Sequence, residues 1–480
     1  MIIGYYVLPK KLKNGYLLLG SLFFYAWGEP KYIFIMLASI VGNYCFGMLI
    51  HYLAVKSSAS ENAPVPWAKK TALVTAILFN LGILIYFKYF MMIVTTVKDL
   101  SHAELAVPEI VLPIGISFYT FKGISYLIDV YRVEGKRDEK GEIQTLVEKN
   151  PINLALYISM FPQLMAGPIG RYPDMKNALT KRVTNAETFS KGIERFIIGL
   201  AKKAIIANSI GEIADKIFAS DTAYMGTPVA WLGAVFYTLY IYYDFSGYSD
   251  MAIGLGKIFG FDFLENFNYP YISGSITEFW RRWHISLSSW FRDYLYIPLG
   301  GSRTGNVYFN LFVVFLATGI WHGASWGFLV WGLWHGVFML IERAFRGKEL
   351  KFRVPFFVKW LYTMLVVTLG WVLFKLEELG PAFSYIGTMF HVKNHPYTAF
   401  SLRYYLDNKM IVLLVFAVLA AVPWAQVLPR RLGSAIASVS LAEPLKPVCI
   451  IRRAVLLALL LLSMIFIVNS TYNPFVYFKF

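Results

Sequence analysis

The stretch GNVYFNLFVVFLATGIWHGASWGFLVWGLWHGVFMLI, residues 305–341, contains no Asp, Glu, Lys or Arg. About 20 apolar residues suffice to cross a bilayer as a helix, so this length suits two spans with a tight turn near Gly323-Ala324-Ser325-Trp326-Gly327. The rest of the chain follows the same pattern. Of 480 residues, 57% are hydrophobic and 15% charged, where an average soluble domain carries about 25% charged residues. Mean hydropathy is +0.53. Charge gathers between long uncharged runs, the arrangement of membrane spans joined by loops.

Candidate spans are 15–27, 32–53, 71–94, 112–130, 152–169, 190–218, 229–258, 306–321, 326–342, 356–374, 410–428 and 450–470. Segment 190–218 carries Glu194, Arg195, Lys202, Lys203, Glu212 and Asp215, which reads as an amphipathic or partly buried helix. Segments 112–130 and 152–169 contain Pro and Gly and are candidates for re-entrant structure, tolerated only where protein or water covers the backbone. The expectation is an all-α polytopic membrane protein with about ten or eleven transmembrane helices plus re-entrant or interfacial helices. Residues 1–480 read as a single membrane domain ending in an aromatic tail, 471–480.

The net charge of +16 is better explained by cytoplasmic loops and anionic lipid than by nucleic acid. Loops 343–359 and 429–453 are rich in Lys and Arg, whereas 376–408 is poorer. The positive-inside rule makes the first two cytoplasmic, and parity then puts the tail TYNPFVYFKF outside. Cys45 and Cys449 form no metal spacing or disulfide framework and read as small buried hydrophobes. MIIGYYVLPKKLKN offers too short an apolar stretch for a cleavable signal peptide.

Chemistry is sparse enough to enumerate. His322 and His335 are the imidazoles of the 305–341 run. Ionisable groups at membrane depth are costly and often functional, so a structural histidine and a reacting base both remain open readings. On one unbroken helix 13 residues turn about 1300°, leaving the pair roughly 220° apart in direction and about 20 Å in height. They meet only if the Gly-rich turn folds the chain back. Neutral imidazole suits general-base work near pH 7. There is no G-x-S-x-G elbow and no H-E-x-x-H, and the spacing of His284, His322 and His335 is not diagnostic of a metal site. The segment EFWRRWHISLSSWFRDYLYIPLGGSR, 278–303, mixes Arg281, Arg282, Arg292 and Arg303 with aromatics. It reads either as an interfacial belt or as a cytoplasmic mouth for an anionic donor. Asp244 and Asp250, in an apolar stretch, need partners and suit helix pinning better than catalysis.

Five motifs resemble the membrane-bound O-acyltransferase (MBOAT) family, in its bacterial alginate O-acetyltransferase-like branch. They are LPIGISFYTFKGISYLIDVYR (112–132), FPQLMAGPIGRY (161–172), YYDFSGYSDMAIGLGKIFGF (242–261), FWRRWHISLSSWFRDYLYIPLGGSR (279–303) and GIWHGASWGFLVWGLWHG (319–336). The resemblance implies the MBOAT fold and a catalytic His322, with His284 as a second active-site position. It implies no permanently bound cofactor and acetyl-CoA as donor at the cytoplasmic side; under the mouth reading of 278–303, Arg281 and Arg282 are the donor-binding residues. It further implies a separate extracytoplasmic SGNH-type acetyltransferase partner and an extracytoplasmic polysaccharide acceptor. FVYFKF (475–480) resembles the C-terminal aromatic motif of envelope acylation systems, which implies Tyr477 as acyl carrier, an interfacial anchor being the bland reading. The implied location is the bacterial cytoplasmic membrane, multi-pass and in contact with membrane lipids.

Two features depart from the family's pattern. Little apolar sequence precedes the YYVLP stretch, and Lys122 stands where Gln is expected. Two rival functions are D-alanyl transfer in teichoic-acid modification, and a transporter whose intramembrane His and Asp form a proton relay.

Overall fold

The structure, a computed structural model, describes residues 1–58, 65–102, 106–136, 144–345, 354–391, 401–424 and 447–470. Among these the elements are helices, with no strand. Five helices are long and apolar enough to cross a membrane: Ile33–Lys56, Trp67–Ser101, Trp326–Phe345, Phe356–Leu376 and Ile450–Asn469. Val307–His322 and Asn408–Ala420 are shorter and apolar. The other expected spans take different forms. Residues 152–169 break into Pro151–Ser159, Phe161–Leu164 and an irregular stretch, whereas 229–258 lies within one 32-residue helix, Thr227–Ile258. The chain divides into two compact units, Met1–Thr188 with Leu255–Leu264, and Phe189–Gly254 with Glu265–Phe480.

In the first unit, helices Ile33–Ser58, Val65–Leu84 and Ile116–Val133 pack on one another. Lys122, 1% exposed, lies at the centre of the last of these. Its ammonium donates to the Tyr157 carbonyl (3.1 Å) and to Gln163 Oε1 (2.8 Å). Both acceptors belong to the broken 151–171 region, a carbonyl in the last turn of Pro151–Ser159 and a side-chain oxygen of Phe161–Leu164, so Lys122 ties two successive helix pieces together. Tyr157 adds a bond from its hydroxyl to the Gly170 carbonyl at 3.1 Å. Irregular backbone away from water requires such partners.

Glu134 closes the same unit just past the end of Ile116–Val133. Its carboxylate faces His51 Nδ1 (2.6 Å) and accepts from the N–H groups of Leu146 (2.6 Å) and Val147 (2.8 Å) and the Thr145 hydroxyl (3.0 Å). Burial pushes its pKa up, but these four partners outweigh burial and hold it below the usual carboxylate range. A depressed folded-state pKa contributes stability above the unfolded value of about 4.3, which is lost as pH falls through the folded value. We expect Glu134→Gln to lower the thermal unfolding midpoint at pH 7, with the gap from wild type narrowing below about pH 4. A gap that is constant from pH 7 to pH 3.5 would contradict the assignment.

In the second unit, helix Ala186–Ala201 runs through a π-turn, Lys202–Ala207, into Asn208–Phe218. It lies antiparallel to Thr227–Ile258, as glycine pairs show. A Cβ on Gly199 would stand 2.5 Å from the Gly247 carbonyl oxygen, and one on Gly254 would stand 2.6 Å from that of Gly192. Small residues at such crossings bring backbones close in membrane helices. The approach lets short ion pairs form across it: Lys203–Asp244 (2.6 Å), Lys202–Asp250 (2.7 Å) and Arg195–Asp250 (2.7 Å). Asp244 and Asp250 thus pin one helix to the other. Arg195 also pairs with Glu265 at 2.5 Å, and Arg452 Nε on the last helix donates to Glu194 at 2.9 Å.

Gly199→Val and Gly247→Val should each reduce the amount of monodisperse protein extracted from membranes. Gly387→Ala should behave as wild type or better, because nothing lies within 4 Å of an added Cβ there and Ala is the stronger helix former. Equal yields for all three variants would refute the close-packing account.

Candidate active site

The 305–341 run folds as a helical hairpin. Asn306 starts the first helix, its side chain accepting from the N–H groups of Tyr308 (3.0 Å) and Phe309 (3.3 Å). That helix, Val307–His322, ends at His322; the chain turns through Gly323–Ser325 and returns as Trp326–Phe345. The Gly327 N–H donates to the Glu377 carbonyl at 2.9 Å, tying the turn to the end of Phe356–Leu376. The two helices touch along their length through glycine. A Cβ on Gly319 would meet the Phe328 carbonyl oxygen at 2.6 Å, and one on Gly332 would meet Gly319 Cα at 2.9 Å.

His322 is 2% exposed and ringed by aromatic side chains. Ring centroids lie 4.9 Å away for Trp321, 4.8 Å for Trp331 and 5.3 Å for Phe374, each edge-on. The hairpin also brings His335 back to this cluster. Trp331 lies against both imidazoles, 4.8 Å from His322 and 5.3 Å from His335. His335 itself is fully buried, stacked on Phe279 at 6.2 Å and edge-on to Trp280 at 5.2 Å. The chain reverses at Gly323–Ser325, and the Trp331 indole contacts both histidines.

His284 reaches the same region from a different element. It caps the short helix Ile285–Phe291 in the left-handed conformation, φ 42° and ψ 54°. Non-glycine residues rarely adopt that region, and such outliers concentrate at functional sites. Its Nδ1 lies 3.0 Å from Asn266 Oδ1, which also accepts from the Ser286 hydroxyl at 2.9 Å, while Asn266 Nδ2 donates to Ser249 at 3.1 Å. With Oδ1 acting as acceptor throughout, the proton of neutral His284 belongs on Nδ1, and Nε2 keeps a lone pair. His284 and His322 flank one side chain, Trp321, at 5.9 and 4.9 Å. Thirty-eight positions of sequence separation are thereby closed. Among the described residues no three His, Cys, Asp or Glu side chains group as metal ligands.

A cavity of about 970 Å³ opens beside this cluster. Arg281, Arg292, Arg343 and Lys359 line it together with Leu287, Val314, Phe315 and Met339, and Trp280 and Thr318 also face it. Thr318 is one helical turn before His322 on the same helix, about 6 Å along the axis. The size is at the upper end for small-ligand sites; the lining combines these cations, Arg292 paired with Asp293 at 2.6 Å, with the carboxylates of Glu278 and Glu342 and apolar walls. Helix Ile276–Arg282 sets this wall. Its first N–H groups, from Ile276 and Thr277, donate to the Glu342 carboxylate at 2.5 and 2.9 Å, and Ser275 caps it by accepting from Glu278 N–H at 3.0 Å. Carboxylates suit a helix N-terminus.

The two expected donor-site arginines separate here. Arg281 lines the cavity, whereas Arg282 donates to Glu278 (2.9 Å) and the Asn268 carbonyl (3.1 Å) and is not among the lining residues. Arg343 and Lys359 were legible in sequence only as loop charges. Trp280 and Trp331 lacked any signal beyond membership of aromatic-rich motifs, and Asn266 lies outside all five motifs. Tyr477 and the rest of the tail lie outside the described residues.

Comparisons with known proteins agree with this architecture. The model of the membrane-bound O-acyltransferase family matches residues 100–375. The chain is 42% identical to the probable alginate O-acetylase AlgI of Pseudomonas aeruginosa, over 80% of this chain and 71% of that protein. It is 35% identical to the peptidoglycan O-acetyltransferase of Helicobacter pylori, over 79% of this chain and 75% of that one. Similarity to the teichoic acid D-alanyltransferase of Bacillus subtilis is 31%, over 57% of this chain and 71% of the relative. With its apolar helices and its buried histidine hairpin, this multi-pass O-acyltransferase belongs to the membrane-bound O-acyltransferase family.

Proposed function

We propose that the protein moves an acetyl group from cytoplasmic acetyl-CoA to an extracytoplasmic polysaccharide, with His322 as the general base. The observation that carries this reading is the cavity. It brings four cations, suited to a nucleotide's phosphates, into one space with Thr318, one turn from His322. The donor's anionic end is held by Arg281, Arg292, Arg343 and Lys359, and the thioester is directed towards His322. The orientation follows the positive-inside rule, since Arg343 and Lys359 flank a basic loop. The protein sits in the bacterial cytoplasmic membrane with its C-terminus outside.

The first acceptor is the phenol of Tyr477. Its oxygen attacks the thioester carbonyl carbon as a ring nitrogen of His322 takes the phenolic proton. The C–S bond then breaks, and the CoA thiolate leaves and is protonated. A free phenol has a pKa near 10, so a base in a water-poor site is what makes it nucleophilic at neutral pH. His284, held by Asn266, assists from the other side of Trp321. The acetyl ester on Tyr477 then passes its group to an SGNH-type partner outside, which acetylates the polymer. O-acetyltransferases among the relatives match more of this chain, at higher identity, than the D-alanyltransferase does, which favours acetyl over alanyl. A proton-relay transporter gains nothing from Asp244 and Asp250, both held in ion pairs.

His322→Ala, at normal membrane abundance, should reduce O-acetyl content of the isolated envelope polymer to the level of a deletion strain. A general base contributes about 10² to 10⁴ in rate; undiminished acetylation would remove His322 from the chemistry. For the carrier step, intact-mass analysis of purified protein after acetyl-CoA addition should show one added acetyl group on wild type and none on Tyr477→Phe. Equal labelling of the two proteins would rule the relay out.

A further inference from the structure

Two indoles lie close to the cavity and to His322. Trp280 faces the cavity, is 8% exposed, and lies 5.8 Å from Trp331 between ring centroids. Trp331 is fully buried and lies 4.8 Å from His322. The Nε1 atoms of both are sealed from solvent and have no hydrogen-bond partner among the described residues. An indole N–H can only donate, and a donor left unpaired in the interior is unfavourable enough to call for an explanation. The fold does provide acceptors elsewhere. Trp231, Trp334, Trp360 and Trp424 donate to backbone carbonyls at 2.8, 2.9, 2.8 and 2.8 Å. Trp280 at the cavity wall and Trp331 against His322 thus form a chain of ring contacts from the cavity to the imidazole.

We propose that Trp280 and Trp331 bind the acyl group in transit, their indole N–H groups donating to the carbonyl oxygen of the donor thioester. The inference rests on the acyl-CoA reading of the cavity. The chemistry matches in number and kind. A thioester carbonyl has two lone pairs and no donor, so it accepts two N–H bonds and offers nothing to the surrounding rings that they would have to satisfy. Charge on that oxygen grows as the carbonyl carbon is attacked, so donors fixed beside it also favour the transition state. Because both nitrogens are covered, the indole of Trp280 has to yield as the acyl group enters. A two-carbon chain requires a small displacement; a long chain has to clear both rings.

The test compares acetyl-CoA with S-ethyl-CoA, a thioether of nearly the same shape that lacks the carbonyl. Full-length protein in lipid nanodiscs carries His322→Ala throughout, so that the thioester is not consumed, and affinities are read by titration calorimetry. The parent should bind acetyl-CoA about tenfold more tightly than S-ethyl-CoA, one hydrogen-bonded carbonyl being worth roughly that factor. Trp280→Phe and Trp331→Phe keep an aromatic ring and remove the N–H. Each should cut the ratio about threefold or more, with S-ethyl-CoA affinity within about twofold of the parent.

A parent that binds both ligands equally, or variants that keep the parent's ratio, overturn the assignment. So do variants in which both affinities fall together, the mark of a purely structural role. Release of CoA from acetyl-CoA by protein with His322 intact is measured in parallel. Release with an unchanged ratio sinks the indole assignment alone, whereas absence of both binding and release sinks the donor reading and this inference with it.

Discussion

The close approach of Val307–His322 to Trp326–Phe345 governs the rest of the site. Glycine at 319 and 332 lets the two helices meet backbone to backbone, where any side chain would collide with a carbonyl oxygen or an α-carbon. That contact fixes where His322 ends its helix, where Trp331 faces it, and where His335 returns. The hairpin is held from outside by the Gly327 N–H bond to the Glu377 carbonyl. In lipid, apolar side chains gain little by meeting one another, so packing and hydrogen bonding carry such contacts. A cavity beside the His322 imidazole follows from the hairpin's geometry, with Glu342 on its second helix supporting the wall that bears Trp280 and Arg281.

The buried charges named above each have a partner. Lys122 meets a carbonyl and an amide, Asp244 and Asp250 meet lysines and an arginine, and Glu134 meets four donors.

Much of this was legible in one dimension, for reasons that can be named. Apolar runs with charges at their ends identify helices regardless of tertiary context, which is why 326–342 and 356–374 match observed helices closely. Pro and Gly within 152–169 marked a break, because the backbone there cannot stay helical. The charges of 190–218 indicated an amphipathic or partly buried helix, and Arg195, Lys202 and Lys203 on it meet Asp250 and Asp244. What sequence could not resolve was direction around an axis. Arg281 and Arg282 are neighbours, yet adjacent helix positions point about 100° apart, so one lines the cavity and the other ties back to Glu278. Nor could spacing foresee that one tryptophan would lie between His284 and His322 and another between His322 and His335. Those juxtapositions arise from the 276–291 segment and the hairpin, which are distant in sequence.

The ion pairs between the 190–218 segment and Thr227–Ile258 bear on how the protein enters the membrane. Each Asp or Lys at the centre of a lone helix adds about 2.5 to 3.5 kcal/mol to insertion. Thr227–Ile258 alone would carry two aspartates, and its predecessor Arg195, Lys202 and Lys203. Joined by the short connection between residues 218 and 227, the two elements can cancel these charges as a hairpin before either meets hydrocarbon. With only residues 219–226 between them, the two elements neutralise one another's charges as one local hairpin, without waiting for any distant part of the chain.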